Sequence, residues 1–341
     1  MGIHPTIKDV AKKAGVSITT VSFVLNRRTD VVISEEVKKR VLAVAQELDY
    51  HPSAMAAGLA GRRTKNLGVV FYLEDKIISN QFYSFVIEGI VKEAMDKDFN
   101  LLFSYMESTY EGKASLPKIV RAKNVDGVLL IGRTEPRMVY DLQEKGLALV
   151  AIDNFPGLKA VDTIHADNRQ GGMLAVEHLA QLGHKHIGHL TIAKGRPSIE
   201  QRREGWAAGM AKVGLDASAG LVLEAGALSF PAGLERTKEA LKRNKKLTAV
   251  FCANDEMAAG AIRAAHELGR SVPGDLSVVG FDNIAMGSYL DPALTTVSPA
   301  KEFMGKMAVT RLLELMEAKE AAPRAQQVPV ELIVRHSTGK P

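Results

Sequence analysis

The chain has 341 residues, 46% of them hydrophobic and 24% charged, with a formal net charge of +5 and a single cysteine. It is too long for one ordinary core, so two or three domains are expected. No apolar run approaches the ~18 residues that span a bilayer, and one thiol excludes a disulfide within the chain.

The start, MGIHPTIKDV, lacks the apolar core of a secretion signal, so the protein is expected in the cytoplasm. Cys252, inside AVFCAND, reads as a buried inert thiol. The charge is uneven: residues 1–64 hold ten Lys/Arg against six Asp/Glu, which is +4 and leaves +1 for the rest. A basic head on a near-neutral body suggests that the head meets a polyanion.

Thr6 to Asn26, TIKDVAKKAGVSITTVSFVLN, reads as two short helices around a tight turn. Thr6 can cap the first helix with Asp9 as reciprocal acceptor, and Ser17 can cap the second. Gly15 supplies the free backbone of the turn. At about 100° per residue, Val21, Val24 and Leu25 share one arc of the second helix. Ile18, Thr19, Ser22, Phe23 and Asn26 share the opposite arc, free to face a partner. Ala11, Gly15 and Val21 fit the helix-turn-helix pattern. A third helix is expected from Ser34 to about Leu48, with Val37, Val41, Val44, Ala45 and Leu48 as its buried stripe.

His51-Pro52-Ser53 ends that helix. The small-residue stretch AMAAGLAGRRT follows, suited to folding on contact with a partner or to serving as a flexible linker. From Lys65 apolar strands alternate with amphipathic helices. The strand candidates are 68–72, 100–105, 127–131, 148–153, 186–192, 249–255 and 277–282, and their spacing fits βαβ units in parallel sheets. The series breaks near 152–167 and 289–299. Two α/β subdomains joined by more than one crossing are expected, with a ligand cleft between them at the carboxyl ends of the strands.

No GxxxxGK[ST], GxSxG or HExxH appears, and no GxGxxG follows the first strand. His184, His186 and His189 straddle the start of a strand and do not converge as metal ligands. No metal, cofactor or catalytic set is therefore expected. Asp153, Asp255 and Asp282 end strands without a nucleophile or base beside them, which favours ligand binding over catalysis.

These residues resemble the lac-repressor (LacI/GalR) family of bacterial transcription regulators over essentially the whole chain. The likeness rests on DVAKKAGVSITTVSFVLN and ISEEVKKRVLAVAQELDYHPSAMAAGLAGRRT in the head. In the body it rests on IHADNRQGGMLAVEHLAQLGHKHIGHL, RREGW, AVFCANDEMAAGAI, VPGDLSVVGFDNI and DPALTTV. The resemblance implies an all-α helix-turn-helix head on an α/β, two-lobed, periplasmic-binding-protein-like body with parallel sheets. It implies a head at 1–50, a hinge helix at 51–65, an N-subdomain at 66–164 and 294–322, and a C-subdomain at 165–293 and 323–341. It further implies a homodimeric repressor on near-palindromic double-stranded operator DNA, controlled by a small effector: a sugar, a sugar phosphate or acid, or a purine.

By the same resemblance, Ile18, Thr19 and Ser22 face base edges, and Thr6, Ser17, Thr20 and Asn26 make phosphate and register contacts. Phe23 stands where many relatives carry Arg and can pack on a thymine methyl. In the hinge, Ser53 and Met55 are implied DNA contacts and Leu59 matches the leucine wedged into the minor groove. The effector positions implied are Asn80, Phe82, Tyr83, Asp153, Asp167, Arg196, Ser198, Arg202, Asn254 and Asp282. Arg202 stands first, because its fork can hold vicinal hydroxyls or a carboxylate. Ala227 and Leu228 depart from the acidic-aromatic pattern usual there. The chain ends without leucine heptads, so a coiled-coil tetramer is not expected. The competing readings are a solute-binding receptor without DNA function and, third, an enzyme on a doubly wound sheet.

Overall fold

The computed structural model describes residues 5–25, 31–50, 63–73, 77–106, 110–153, 161–193, 195–215, 217, 222–318 and 322–341. Asn26, Ser53, Met55 and Leu59, with the expected hinge over 51–62, lie outside these. The chain folds as two units, Met1–Lys65 and Asn66–Pro341.

The first unit holds α1 (Ile7–Ala14), α2 (Ile18–Leu25) and α3 (Glu35–Glu47). The Thr6 N–H and hydroxyl both donate to the Asp9 carboxylate, at 2.8 and 2.7 Å, which fixes where α1 begins. Gly15 closes it at φ +66°, a left-handed backbone that costs glycine nothing. Ser17 Oγ accepts the Thr20 N–H at 3.0 Å and starts α2. Val10, Ala11, Ala14, Val21, Val24, Val41, Val44 and Ala45 form the core. Arg40 Nε donates to the Ala14 carbonyl at 3.0 Å and ties α3 to the end of α1.

The second unit has two lobes. The first contains β1 (Asn66–Tyr72), α4 (Gln81–Asp96), β2 (Asn100–Met106), α5 (Lys118–Arg121), β3 (Gly127–Ile131), α6 (Pro136–Glu144), β4 (Ala148–Ile152) and β5 (Asp162–Ala166). The second contains α7 (Asn168–Gln181), β6 (Ile187–Ile192), α8 (Pro197–Lys212), β7 (Val222–Ala225), α9 (Phe230–Arg243), β8 (Ala249–Cys252), α10 (Asp255–Glu267), β9 (Ser277–Phe281), α11 (Ala285–Tyr289) and β10 (Thr295–Pro299). The chain then returns through α12 (Lys301–Glu317) and β11 (Ala325–Val328) and ends with β12 (Val330–Ile333).

The two six-stranded sheets run β11-β5-β4-β3-β1-β2 and β12-β10-β9-β8-β6-β7. All neighbours are parallel except β10 and β12. Both faces of each sheet are covered by apolar clusters, as parallel sheets require. On the second lobe α7 and α8 cross at backbone contact. A Cβ on Gly205 would meet the Arg169 carbonyl, and one on Gly172 the Arg202 carbonyl.

Strand pairing corrects the expected subdomain limits. β10 pairs with β9, so residues 295–299 belong to the second lobe rather than the first. β11 pairs with β5, so residues 325–328 belong to the first lobe rather than the second. The crossings fall at Asp167, Ala300 and Pro329. They are tied side by side, with Asp167 N–H donating to the Val328 carbonyl at 3.0 Å and Ala300 N–H to the Pro329 carbonyl at 3.2 Å. Among the described residues no helix is long and apolar enough to cross a membrane.

Candidate functional site

Parallel strands end together, and the turns that follow them converge on one cavity of about 300 Å³. Nine of the ten predicted body residues line it. Asn80, Phe82, Tyr83 and Asp153 come from the first lobe, and Arg196, Ser198, Arg202, Asn254 and Asp282 from the second. Asp167 is the exception and corrects the expectation. Its carboxylate accepts the Gln170 N–H at 3.0 Å and caps α7, at a crossing rather than on the cavity wall.

On the first-lobe wall Asn80 caps α4, its Oδ1 accepting the Phe82 N–H at 2.9 Å. Phe82 and Tyr83 meet edge to face, with centroids 5.0 Å apart. The Tyr83 hydroxyl donates to Asp153 Oδ2 at 2.9 Å. Asp153 directly follows β4 at φ +55°, a left-handed backbone angle uncommon for a non-glycine residue.

On the second-lobe wall Arg202 is less free than its fork suggests. Nε donates to Asn168 Oδ1 at 2.9 Å, Nη1 to the Ala253 carbonyl and Nη2 to Asp282 Oδ1 at 3.2 Å. The guanidinium lies over the Phe281 ring, 3.6 Å from its centroid. Three of its donors are thus held by the protein. Asn254 caps α10, accepting the Met257 N–H at 2.9 Å.

Asp282 sits at φ +102°. Burial pushes its carboxyl up to about 6, against the pull of Arg202 and Lys301. Lys301 Nζ donates to the backbone carbonyls of Asp282 and, at 3.2 Å, Asn283, so α12 braces the turn that carries the carboxylate. Asp255 does not line the cavity. It accepts the Thr296 hydroxyl and, at 2.8 Å, the Ile284 N–H, and burial beside Asp282 raises its carboxyl to about 7. The two lobes also touch directly, where the Ala285 N–H donates to Gln81 Oε1 at 2.6 Å.

Ser79, Ile199, Ser229 and Glu256 line the cavity as well and were not singled out from sequence. Glu256 follows Asn254-Asp255 at the end of β8, and its place in the first turn after a strand end is the signal that could have found it.

His184 is buried outside this site. Its Nδ1 is 2.9 Å from Thr248 Oγ1, and its Nε2 is 2.9 Å from Ser277 Oγ. His189 stacks between Trp206 and Phe251, with Nδ1 3.1 Å from the Phe251 carbonyl oxygen.

In the head, Ile18 is 44% exposed and Thr6, Ser17 and Thr19 are exposed, while Thr20, Ser22 and Phe23 are half-buried. Val21 and Val24 face the core, as the helical arcs require. Thr6, Ser17 and Thr20 spend side-chain hydrogen bonds on the two caps.

Residues 6–53 match the family described as bacterial regulatory proteins, lacI family, and residues 176–338 match a periplasmic binding protein-like domain. The HTH-type transcriptional repressor PurR of Pasteurella multocida (strain Pm70) is 34% identical over 97% of this chain and 98% of its own. The lac repressor dimer bound to operator and the anti-inducer ONPF superposes with a TM-score of 0.83 at 28% identity, over 99% of this chain and 100% of that one. The transcriptional regulator CelR in complex with cellobiose gives 0.71 at 26%, over 98% and 99%. With a helix-turn-helix head, a two-lobed body and relatives similar along its whole length, the chain belongs to the lacI family of bacterial transcriptional regulators.

Proposed function

We propose that the protein is a repressor that binds a near-palindromic operator as a homodimer and is controlled by a sugar or sugar derivative held between the lobes. The observation that carries this reading is the cavity. Its lining is mostly polar and charged, and its rings, Phe82 and Tyr83, come from one wall. The second lobe contributes Ala227 and Leu228 where a sandwiched nucleobase would need another ring. One ring face with hydrogen-bonding groups around it suits a sugar, whose apolar face stacks and whose hydroxyls need partners.

The exposed arc of α2 enters the major groove, with Ile18, Thr19 and Ser22 at base edges and Phe23 against a thymine methyl. Thr6, Ser17, Thr20 and Asn26 hold phosphates, while Ser53, Met55 and Leu59 meet the minor groove. A ligand with different affinities for the open and closed body shifts which state the dimer presents to DNA.

Gel shift on a palindromic duplex tests this reading with full-length protein and with a version lacking residues 1–64. Retention of the duplex by the full chain alone, altered by a ligand that raises its melting temperature, is the expected result. Equal binding by both, or no preference over random DNA, overturns it.

A further inference from the structure

We infer that the cavity selects an uncharged or amine-bearing sugar over its phosphorylated or carboxylated counterparts, and that Glu256 sets this choice. The inference rests on the reading of the cavity as the regulatory ligand site.

The two arginines of the lining suggest an anion at first sight, but their surroundings argue against one. Arg202 is matched by Asp282, and its Nε and Nη1 are held by Asn168 and the Ala253 carbonyl. An incoming phosphate or carboxylate would meet the Asp282 carboxylate beside that guanidinium and compete with it. Of the remaining charged side chains on the cavity wall, Asp153 and Glu256 are negative and Arg196 is positive. The lining therefore carries an excess of negative charge once the Arg202–Asp282 pair is set aside.

Asp153 is engaged by the Tyr83 hydroxyl at 2.9 Å. The Glu256 side chain makes no hydrogen bond or ion pair among the described residues, although it lines the cavity within the first turn of α10. A carboxylate so placed accepts from a hydroxyl or ammonium group and repels a second anion. Its other effect, favouring the helix N-terminus, changes stability but not which ligand is chosen.

The test is isothermal titration of the full-length protein with matched sets. These are glucose, glucosamine, gluconate and glucose 6-phosphate; the galactose equivalents; ribose with ribose 5-phosphate; and the nucleobases hypoxanthine and guanine. In the set that binds, the neutral or amino member should bind at least tenfold more tightly than the anionic one. Glu256→Gln should cut that ratio at least fivefold while leaving the melting temperature of the unliganded protein within a few degrees. An anionic member that binds as tightly as its parent overturns the inference, as does a ratio unchanged in Glu256→Gln. Binding of a nucleobase alone, or of nothing in the panel, overturns both this inference and the sugar reading of the cavity. Operator binding measured on the same samples reports separately on the regulator.

Discussion

Arg202 and Asp282 form an ion pair on the second-lobe wall, Nη2 to Oδ1 at 3.2 Å, with the arginine side chain 6% and the aspartate 14% exposed. Such a pair costs most when one half is removed, because the other is left buried and uncompensated. Arg202→Ala should destabilise the body by about 3 kcal/mol in urea unfolding. It should also abolish ligand binding in titration, since Asp282 and Asn168 both lose the group that orients them. Unchanged unfolding would mean that the pair does not hold the wall.

The buried carboxyls make stability depend on pH in a definite direction. Asp255, raised to about 7, takes up a proton in the folded protein at a pH where the unfolded chain does not, so acidification from pH 8 to 6.5 stabilises. The slope from this one group is at most about 1.4 kcal/mol per pH unit. Below pH 6.5 His189 opposes it. Burial holds that ring's value down to about 3, so the unfolded chain protonates first and folding loses stability. His178 and His184 are shifted in the same direction by burial. Asp255→Asn should flatten the rise between pH 8 and 6.5, read from denaturation midpoints across that range.

Gly205 provides a test of how α8 is placed. A side chain there would drive α8 away from α7 at the Arg169 carbonyl, and overpacking of this kind costs about 1–3 kcal/mol. Because α8 carries both Ser198 and Arg202, Gly205→Ala should also weaken ligand binding tenfold or more. A variant with lowered melting temperature but wild-type ligand affinity would show that the helix has moved without moving the wall.

Phe23 offers a change of reading rather than of strength. A phenyl ring packs on a thymine methyl but makes no bidentate bond to guanine, which arginine does. Phe23→Arg should shift base preference at one symmetric pair of operator positions in a binding-site selection. Identical sequence logos for the two proteins would refute the placement of this side chain.

Long apolar strands were legible in the chain because a strand buried on both faces reads as a continuous run. GVVFY, GVLLI and SVVGF all lie where such runs predict. DTIHA, VLEA and AQQV are short and partly polar, so β5, β7 and β11 give no comparable signal. TTVSP and AQQV are both absent from the expected strands, and it is at these two, β10 and β11, that the lobe limits shift. The cavity residues were found through family motifs, not through periodicity. Glu256 stands inside AVFCANDEMAAGAI, but a glutamate in the first turn of a helix also reads as an ordinary solvated dipole partner, so the motif alone does not mark it as a cavity residue. Asp167 was misplaced because a capping aspartate and a ligand-binding one look the same in sequence. Only the fold shows that its carboxylate is turned back onto Gln170.

The three passages at Asp167, Ala300 and Pro329 run together, tied backbone to backbone. One strap would let the lobes swivel about any axis, whereas three abreast act like the pins of a door and leave swinging as the soft motion. A protease cut in any one of them would leave the halves joined by two covalent links. The nicked body should therefore migrate as one particle under native conditions and come apart into fragments only in denaturant.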